Sequence, residues 1–246
     1  MGKGMILAAV VTAAALASCN RGGEDRGGEE SAGPAVTRNF QVAEFERLEV
    51  GGPYEVTVTT GSAASVRASG GENAIGRMIV EVENGTLKIY TKKRNVNFGW
   101  SSRRGAVELV VTVPRLTGAE IAGSGSISVD KVVGDAFNAA IGGSGGVRLG
   151  QVDVKRLKAE IAGSGEFNAG QGRAAAVEYE IAGSGDIEAA ALVAQDASIS
   201  IAGSGEVSAN ATNTASIDIA GSGDVRLTGG AKCSISKAGS GNVKCS

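Results

Sequence analysis

The sequence predicts an all-β protein, a single-stranded β-helix (β-solenoid) of about seven turns of 18–20 residues, preceded by an N-terminal β region that caps or extends it. Three observations predict this. First, a Gly-Ser-Gly tripeptide returns seven times, at Gly123-Ser124-Gly125, Gly143-Ser144-Gly145, Gly163-Ser164-Gly165, Gly183-Ser184-Gly185, Gly203-Ser204-Gly205, Gly221-Ser222-Gly223 and Gly239-Ser240-Gly241. Second, the steps are regular, 20 residues for the first four and 18 for the last two. A turn of that size cannot bury its apolar face alone, so turns stack and share one core. Third, apolar and polar residues alternate on both sides of each tripeptide. Leu157, Ala159 and Ile161 precede one copy at steps of two, and Phe167 and Ala169 follow it in phase, with Glu160 and Glu166 between. Period two is a β-strand with one buried face. A helix would not tolerate two glycines recurring mid-pattern.

Residues 1–18 read as a lipoprotein signal peptide. Lys3 supplies the positive start, and the apolar run Met5 to Leu16 is too short for an ordinary transmembrane helix. Leu16-Ala17-Ser18-Cys19 resembles a bacterial lipobox, in which Cys19 becomes the lipidated first residue. The alternative is an ordinary signal peptide that contains a Cys. Asn20, rather than Asp, implies outer-membrane sorting by resemblance to Gram-negative lipoproteins. Residues 19–37 are low in hydrophobicity and mixed in charge, the composition of a flexible tether.

Residues 38–115 show strands without the repeat. Phe45 to Val50 and Tyr54 to Thr60 alternate around the turn Gly51-Gly52-Pro53, and Asn84-Gly85 marks a hairpin between Met78–Val82 and Leu87–Ile89. Glu72 to Arg77 fits one short helical turn, and Val107 to Val113 is a further strand. This region is expected to continue the sheet and to cover one end of the solenoid, protecting its edge. Lys92, Lys93 and Arg94 lead into Asn97-Phe98-Gly99-Trp100, with Arg103 and Arg104 after. Basic residues among aromatics suit an anionic lipid headgroup or lipopolysaccharide, but a solvated hairpin loop explains them more simply.

Residues 116–246 form the solenoid, each repeat being strand, corner, strand and a variable return segment. Turns stack about 4.8 Å apart. Thirty-nine glycines and 4% aromatics suit tight corners and a narrow core.

Composition limits the chemistry. A net charge of −2 gives no general attraction to nucleic acid, and the absence of His removes the commonest general base. No cofactor is expected. The corners lack the Gly-Lys-Ser/Thr of a phosphate loop and the nine-residue period of calcium-binding repeats, and no His stands by to activate the seven serines. The corner is therefore structural, with glycine reaching conformations other residues avoid and aligned Ser hydroxyls able to bond along the ladder. A polysaccharide lyase or hydrolase is the alternative function, but it calls for clustered carboxylates in a cleft, and no insertion interrupts Ile121 to Val243.

Two columns of acidic residues flank the corner. Glu120, Glu160, Glu180 and Asp218 stand three residues before it, and Glu166, Asp186, Glu206 and Asp224 three after. All are expected to face solvent. Glu160, Glu166, Glu180, Asp186, Glu206 and Asp224 are weak candidates for a divalent cation, against the simpler reading that water and salt screen them. In the last turn Lys237 replaces the Ile of the other copies, and Cys233 and Cys245 occupy core-facing places six residues either side of the first corner Gly. In an exported chain they suit a disulfide closing the end of the sheet, with two free buried thiols as the alternative.

Several stretches together resemble a known family: Phe45-Glu-Arg-Leu-Glu-Val50, Tyr54-Glu-Val-Thr-Val-Thr59, Asn84-Gly-Thr-Leu-Lys-Ile89, and Val113-Pro114-Arg115-Leu116 running into Ile121-Ala-Gly-Ser-Gly125. They are similar to the bacterial family called putative auto-transporter adhesin, head GIN domain, over about residues 38–246. The resemblance implies a secreted or lipid-anchored β-helical envelope protein and carries over no binding residue. The expectation is thus a non-enzymatic, adhesin-like or scaffold protein of the outer membrane, anchored through Cys19 and facing the periplasm or the cell surface. Its partner would be an envelope protein or glycan.

Overall fold

The computed structural model describes residues 33–92 and 107–246, which belong to one compact unit. The unit is a single all-β sheet system wound into a solenoid. Strands β8 (Gly118–Gly123), β9 (Ser126–Gly143), β10 (Gly146–Gly163), β11 (Glu166–Gly183), β12 (Asp186–Gly203) and β13 (Glu206–Gly221) follow one another round the stack. β14 (Asp224–Thr228) and β15 (Lys232–Gly239) make the last full turn, and β16 (Val243–Cys245) ends the chain. Seven corners thus bound six complete turns. Neighbouring turns pair in parallel at a register of twenty residues, Ile141↔Ile161↔Ile181 and Val147↔Phe167.

The alternation that marks each strand also shows where the chain bends. In β10 it is broken by two pairs of consecutive exposed residues, Gly150-Gln151 and Lys155-Arg156, and the ladder skips residues 150 and 155 at the same places. These are two further corners, so the return segment is not a loop but a short third face, with Val152 and Val154 inward. The interior is filled by complementary sizes. Tyr179 and Phe167 are fully buried with ring centroids 6.4 Å apart, and room for them comes from Ala159 and Ala169 at neighbouring core positions. The 18-residue turn is shortened between Glu188 and Val193 of its neighbour, where the register shifts. There the Oδ1 of Asn210 is buried without a hydrogen-bond donor.

At the corner, the first glycine of each copy has positive φ (137° at Gly183), which favours glycine. The second glycine points into the stack. A Cβ on Gly185 would lie 2.6 Å from both the carbonyl oxygen of Gly165 and Cγ2 of Ile161. The serine between them is exposed.

The N-terminal region extends this stack by a path that sequence order does not suggest. β2 (Arg47–Gly51) pairs in parallel with β8, and β3 (Glu55–Thr60) with β9. Gly51-Gly52-Pro53-Tyr54 therefore occupies the corner position, donating Gly52 N–H to Ala122 O at 3.0 Å and accepting from Ser126 N at Tyr54 O at 2.9 Å. One layer further out, β6 (Thr86–Thr91) lies on β2 and β7 (Glu108–Val113) on β3. The chain passes from β3 outward and then returns past its own first layer to begin β8. Three antiparallel strands close this end: β5 (Met78–Glu83) on β6, β4 (Ser65–Gly71) on β7, and β1 (Ala35–Phe40) on β4. β1 takes in the last three residues of the expected tether because Val36 and Phe40 pack against the core. The short helix α1 (Glu72–Arg77) and the hairpin turn at Asn84 (φ 50°) and Gly85 (φ 71°) stand where the sequence places them. Two positive φ values are the requirement of a type I′ turn.

At the opposite end, β15 and β16 carry Lys232, Lys237 and Lys244. Lysines on an exposed edge oppose pairing with another chain. Lys237, in the place of the missing Ile, donates from Nζ to Gly241 O at 2.6 Å. Cys233 and Cys245 are joined in a disulfide with Cα atoms 6.7 Å apart.

Candidate functional site

The outward positions of the turns are the surface available to a partner. The seven corner serines form an exposed row, laddered through the backbone: Ser164 N–H donates to Gly143 O at 2.9 Å, and Ser184 N–H to Gly163 O at 2.8 Å. Among the described residues no hydroxyl of this row bonds its neighbour, so the corner holds itself by peptide groups and leaves the hydroxyls to solvent.

The acidic columns face outward as the alternation requires, and the structure gives them protein partners. Asp186 Oδ1 accepts from Glu206 N at 3.2 Å, and Asp224 Oδ1 from Asn242 N at 2.8 Å. Each thereby caps a peptide group of the next turn. Glu206 pairs with Arg226 at 3.4 Å. Glu160 and Glu180 converge with Glu178 on one ammonium: Lys158 Nζ lies 2.9, 3.2 and 2.8 Å from Glu160, Glu180 and Glu178. Hydrogen bonds to Glu178 first and then Glu160 hold the Lys158 ammonium well above the ordinary lysine value. The bond from Lys158 holds Glu178 below the usual carboxylate range, while sharing with Glu178 raises Glu180. Among the described residues no group of three or more His, Cys, Asp or Glu side chains forms a metal site. Sequence reasoning set the acidic columns against water and salt and did not see the lysine at the centre. The signal was present as Lys158 two residues before Glu160, on the same face of the strand.

A second feature escaped the sequence. On this face the outward side chains form columns across the layers. One column runs Thr86, Arg47, Gly118, Asn138, Lys158, and its neighbour runs Lys88, Glu49, Glu120, Ala140, Glu160. Long side chains give way to Gly118, Asn138 and Ala140 and then resume. Ala136 likewise stands beside Arg156 of the next turn. The result is an open trough at the junction of the N-terminal layers with the first repeat. Arg115 and Asp135 stand at its end, paired outward with Glu46 at 2.8 Å and Lys155 at 2.7 Å. On the near wall Lys88 is paired with Glu83 at 2.6 Å, and Arg47 donates to Asn84 O at 3.3 Å. The Glu120 carboxylate and the Asn138 amide have no side-chain partner among the described residues.

Cys19, the signal segment 1–18 and the basic and aromatic residues 93–104 lie outside the described residues.

Solved structures share this architecture. A protein from Bacteroides fragilis NCTC 9343, described as a putative adhesin, is 23% identical, with a TM-score of 0.76 over 87% of this chain and 97% of its own. One from Parabacteroides distasonis ATCC 8503, described as a putative lipid binding protein, is 26% identical, with a TM-score of 0.69 over 87% of this chain and 98% of its own. A putative adhesin from Parabacteroides merdae ATCC 43184 is 18% identical, with a TM-score of 0.66 over 87% and 96% of the two chains. No curated protein matches the chain. The family model that does match takes in residues 44–231, both the N-terminal layers and the repeats, and by it the chain belongs to the family described as putative auto-transporter adhesin, head GIN domain.

Proposed function

We propose that the protein is a non-enzymatic binding module of the bacterial cell envelope, held at the outer membrane by lipid on Cys19 and presenting its solenoid as a rigid, adhesin-like scaffold. The observation that carries the reading is the unbroken stack: from Gly143 to Gly239 turn follows turn in parallel register with no inserted loop. A β-helix that builds a catalytic cleft needs convergent carboxylates and a base held in a groove, whereas along the repeats Glu160, Glu178, Glu180, Glu206 and Asp186 are tied to Lys158, Arg226 and a peptide group of the neighbouring turn. A stiff column of backbone hydrogen bonds suits display, since it holds surface positions fixed relative to one another. Membership of a family described as adhesins agrees with this role.

The anchor and the role have separate tests. Cys19→Ser is expected to move the protein from the membrane to the soluble fraction; retention in low and high salt alike would place the anchor elsewhere. Full-length protein on beads is expected to retain native envelope fragments. Turnover of an envelope or plant polysaccharide that survives repurification, and is lost on one carboxylate substitution, would overturn the non-enzymatic reading.

A further inference from the structure

We infer that the trough between β2 and β10 is a glycan-binding site, taking one chain of an uncharged oligosaccharide laid along the strands. The inference rests on the adhesin-like reading above and names the ligand class of that surface.

The argument begins with shape. Arg47 on β2 and Lys158 on β10 are separated by the layers of β8 and β9, whose residues in that column are Gly118 and Asn138. Three layer spacings are about 14 Å between backbones. The Lys158 ammonium turns toward Glu178 and Glu180 of the following turn, and the Arg47 guanidinium toward Asn84 on the outer layer, so the gap between them suits one extended polymer chain and not a folded protein surface. Gly118, with no side chain, lies buried beneath the Arg47 stem, and a Cβ there would lie 3.2 Å from the Asn138 carbonyl oxygen and 3.7 Å from Arg47 Cγ, so Arg47 packs close to the sheet and the floor beyond it is Asn138. Ala136 and Ala140 keep it low to either side, where the next turn carries Arg156 and Glu160.

The second step is charge. The lining holds three cations, Arg47, Lys88 and Arg115, and four carboxylates, Glu49, Glu83, Glu120 and Asp135, a difference of one. Lys88, Arg115 and Asp135 are already in ion pairs. A nearly balanced lining sets up no field to draw in a polyanion or a polycation. No aromatic residue lines the trough and its floor is built of small side chains with one amide, Asn138, so it lacks the buried anchor pockets on which peptide binding depends.

The third step is hydrogen bonding. Glu120 offers two acceptor oxygens, Asn138 a donor and an acceptor, and the Arg47 guanidinium has further N–H groups beyond the one given to Asn84 O. Adjacent sugar hydroxyls donate and accept at once. They can pair with a carboxylate, an amide and a guanidinium fixed on neighbouring strands, while the flat floor admits a pyranose ring.

The test uses full-length protein with maltohexaose, cellohexaose, mannohexaose and chitohexaose, and with hexamers of polygalacturonate and heparin as charged controls. Saturation-transfer NMR and titration calorimetry supply the readout. The expected result is binding of at least one uncharged hexasaccharide, changing less than twofold between 50 and 500 mM NaCl, over which the Debye length falls about threefold. The triple variant Ala136→Arg/Asn138→Lys/Ala140→Glu, which installs the residues of the next turn, is expected to weaken it about tenfold or more with an unchanged melting temperature. Should that variant misfold, Glu120→Ala/Asn138→Ala is expected to cause a loss of the same order. Failure of all four uncharged sugars to bind, binding that the folded variants leave intact, or salt-sensitive binding confined to the charged hexamers would each overturn the proposal. Bead retention of native envelope fragments runs in parallel. Equal retention by wild type and triple variant leaves the adhesin-like role standing without the trough, whereas no retention by either removes the role itself.

Discussion

Two residues of one corner separate conformational necessity from ornament. Gly185 faces inward between the Gly165 carbonyl and the Ile161 side chain, so Gly185→Ala must push backbone apart; the expected cost is about 2 kcal/mol in urea unfolding. Ser184 gives its N–H to Gly163 O and turns its hydroxyl to solvent, so Ser184→Ala is expected to change stability by less than about 0.5 kcal/mol. Equal losses would mean that the hydroxyl row, and not the glycine, holds the corner. Lys158 is a different case, since its one ammonium bridges three carboxylates drawn from two turns. Lys158→Met is expected to lower the melting temperature by about 2 °C at low ionic strength and by less in 1 M salt. Because the Lys158 value is raised, its contribution is complete below the unfolded lysine value of about 10.4 and is lost only as pH rises through the folded one. Glu178 is lowered, so its share is present above about 4.3 and is lost as pH falls through its folded value. Glu180 is raised and works in the opposite sense, favouring the fold while protonated. The deficit of the variant is therefore expected to be flat across neutral pH and to shrink on acidification, as thermal melts at stepped pH would reveal.

The strands show where sequence reasoning reached and where it stopped. Turns from Ile121 onward were legible because a repeat of twenty residues superimposes each side chain on its copy, so one pattern fixes strand, face and register together. The acidic columns and the cysteine pair followed from the same counting. The N-terminal strands carry no period, and β2 and β3 come early in the chain yet lie inside β6 and β7. Hydrophobic alternation gives a strand its faces but says nothing of its neighbours. The equivalence of Gly51-Gly52-Pro53-Tyr54 with a repeat corner is visible only in the pairing of Val50 with Ile121. The trough was hidden for a related reason, as it consists of short side chains that become adjacent only across the ladder. At the far end, β15 has a pairing partner on one side only, and the Cys233–Cys245 bridge fastens it. On the chain-entropy model a loop of this length contributes about 3 kcal/mol. Reduction is expected to speed amide exchange in β15 and β16 while leaving β10 and β11 protected. Uniform acceleration throughout would mean that the bridge supports the whole stack and not its last turn. Under non-reducing conditions the denatured protein should offer no alkylatable thiol at either position.

Seen entire, the molecule is a sequence of nearest-neighbour contacts, and its stability should follow the number of turns. Removing residues 164–183 joins Gly163 to Ser184 and leaves every remaining pair in register, Ile161 now meeting Ile201. The shortened chain is expected to fold cooperatively with the same β circular dichroism and a lower melting temperature. Removing ten residues, 164–173, would bring outward positions of one face against a different face of the next turn, and is expected to abolish folding. If both deletions fold alike, the register is not what specifies the stack. Order along the stack has a mechanical corollary. Described chain enters through β1, which is bonded to β4 and to no other strand, with the Thr37–Ser69 hydroxyl pair and the Arg67–Asn39 bond across it. A load applied at Gly33 therefore meets this outermost strand first. Peeling β1 frees six residues, about 20 Å of extended chain, and breaks into no turn of the solenoid. In a pulling experiment from Gly33 the protein is expected to yield by one short, reversible step before any turn is lost, so that β1 acts as a shock absorber ahead of the solenoid.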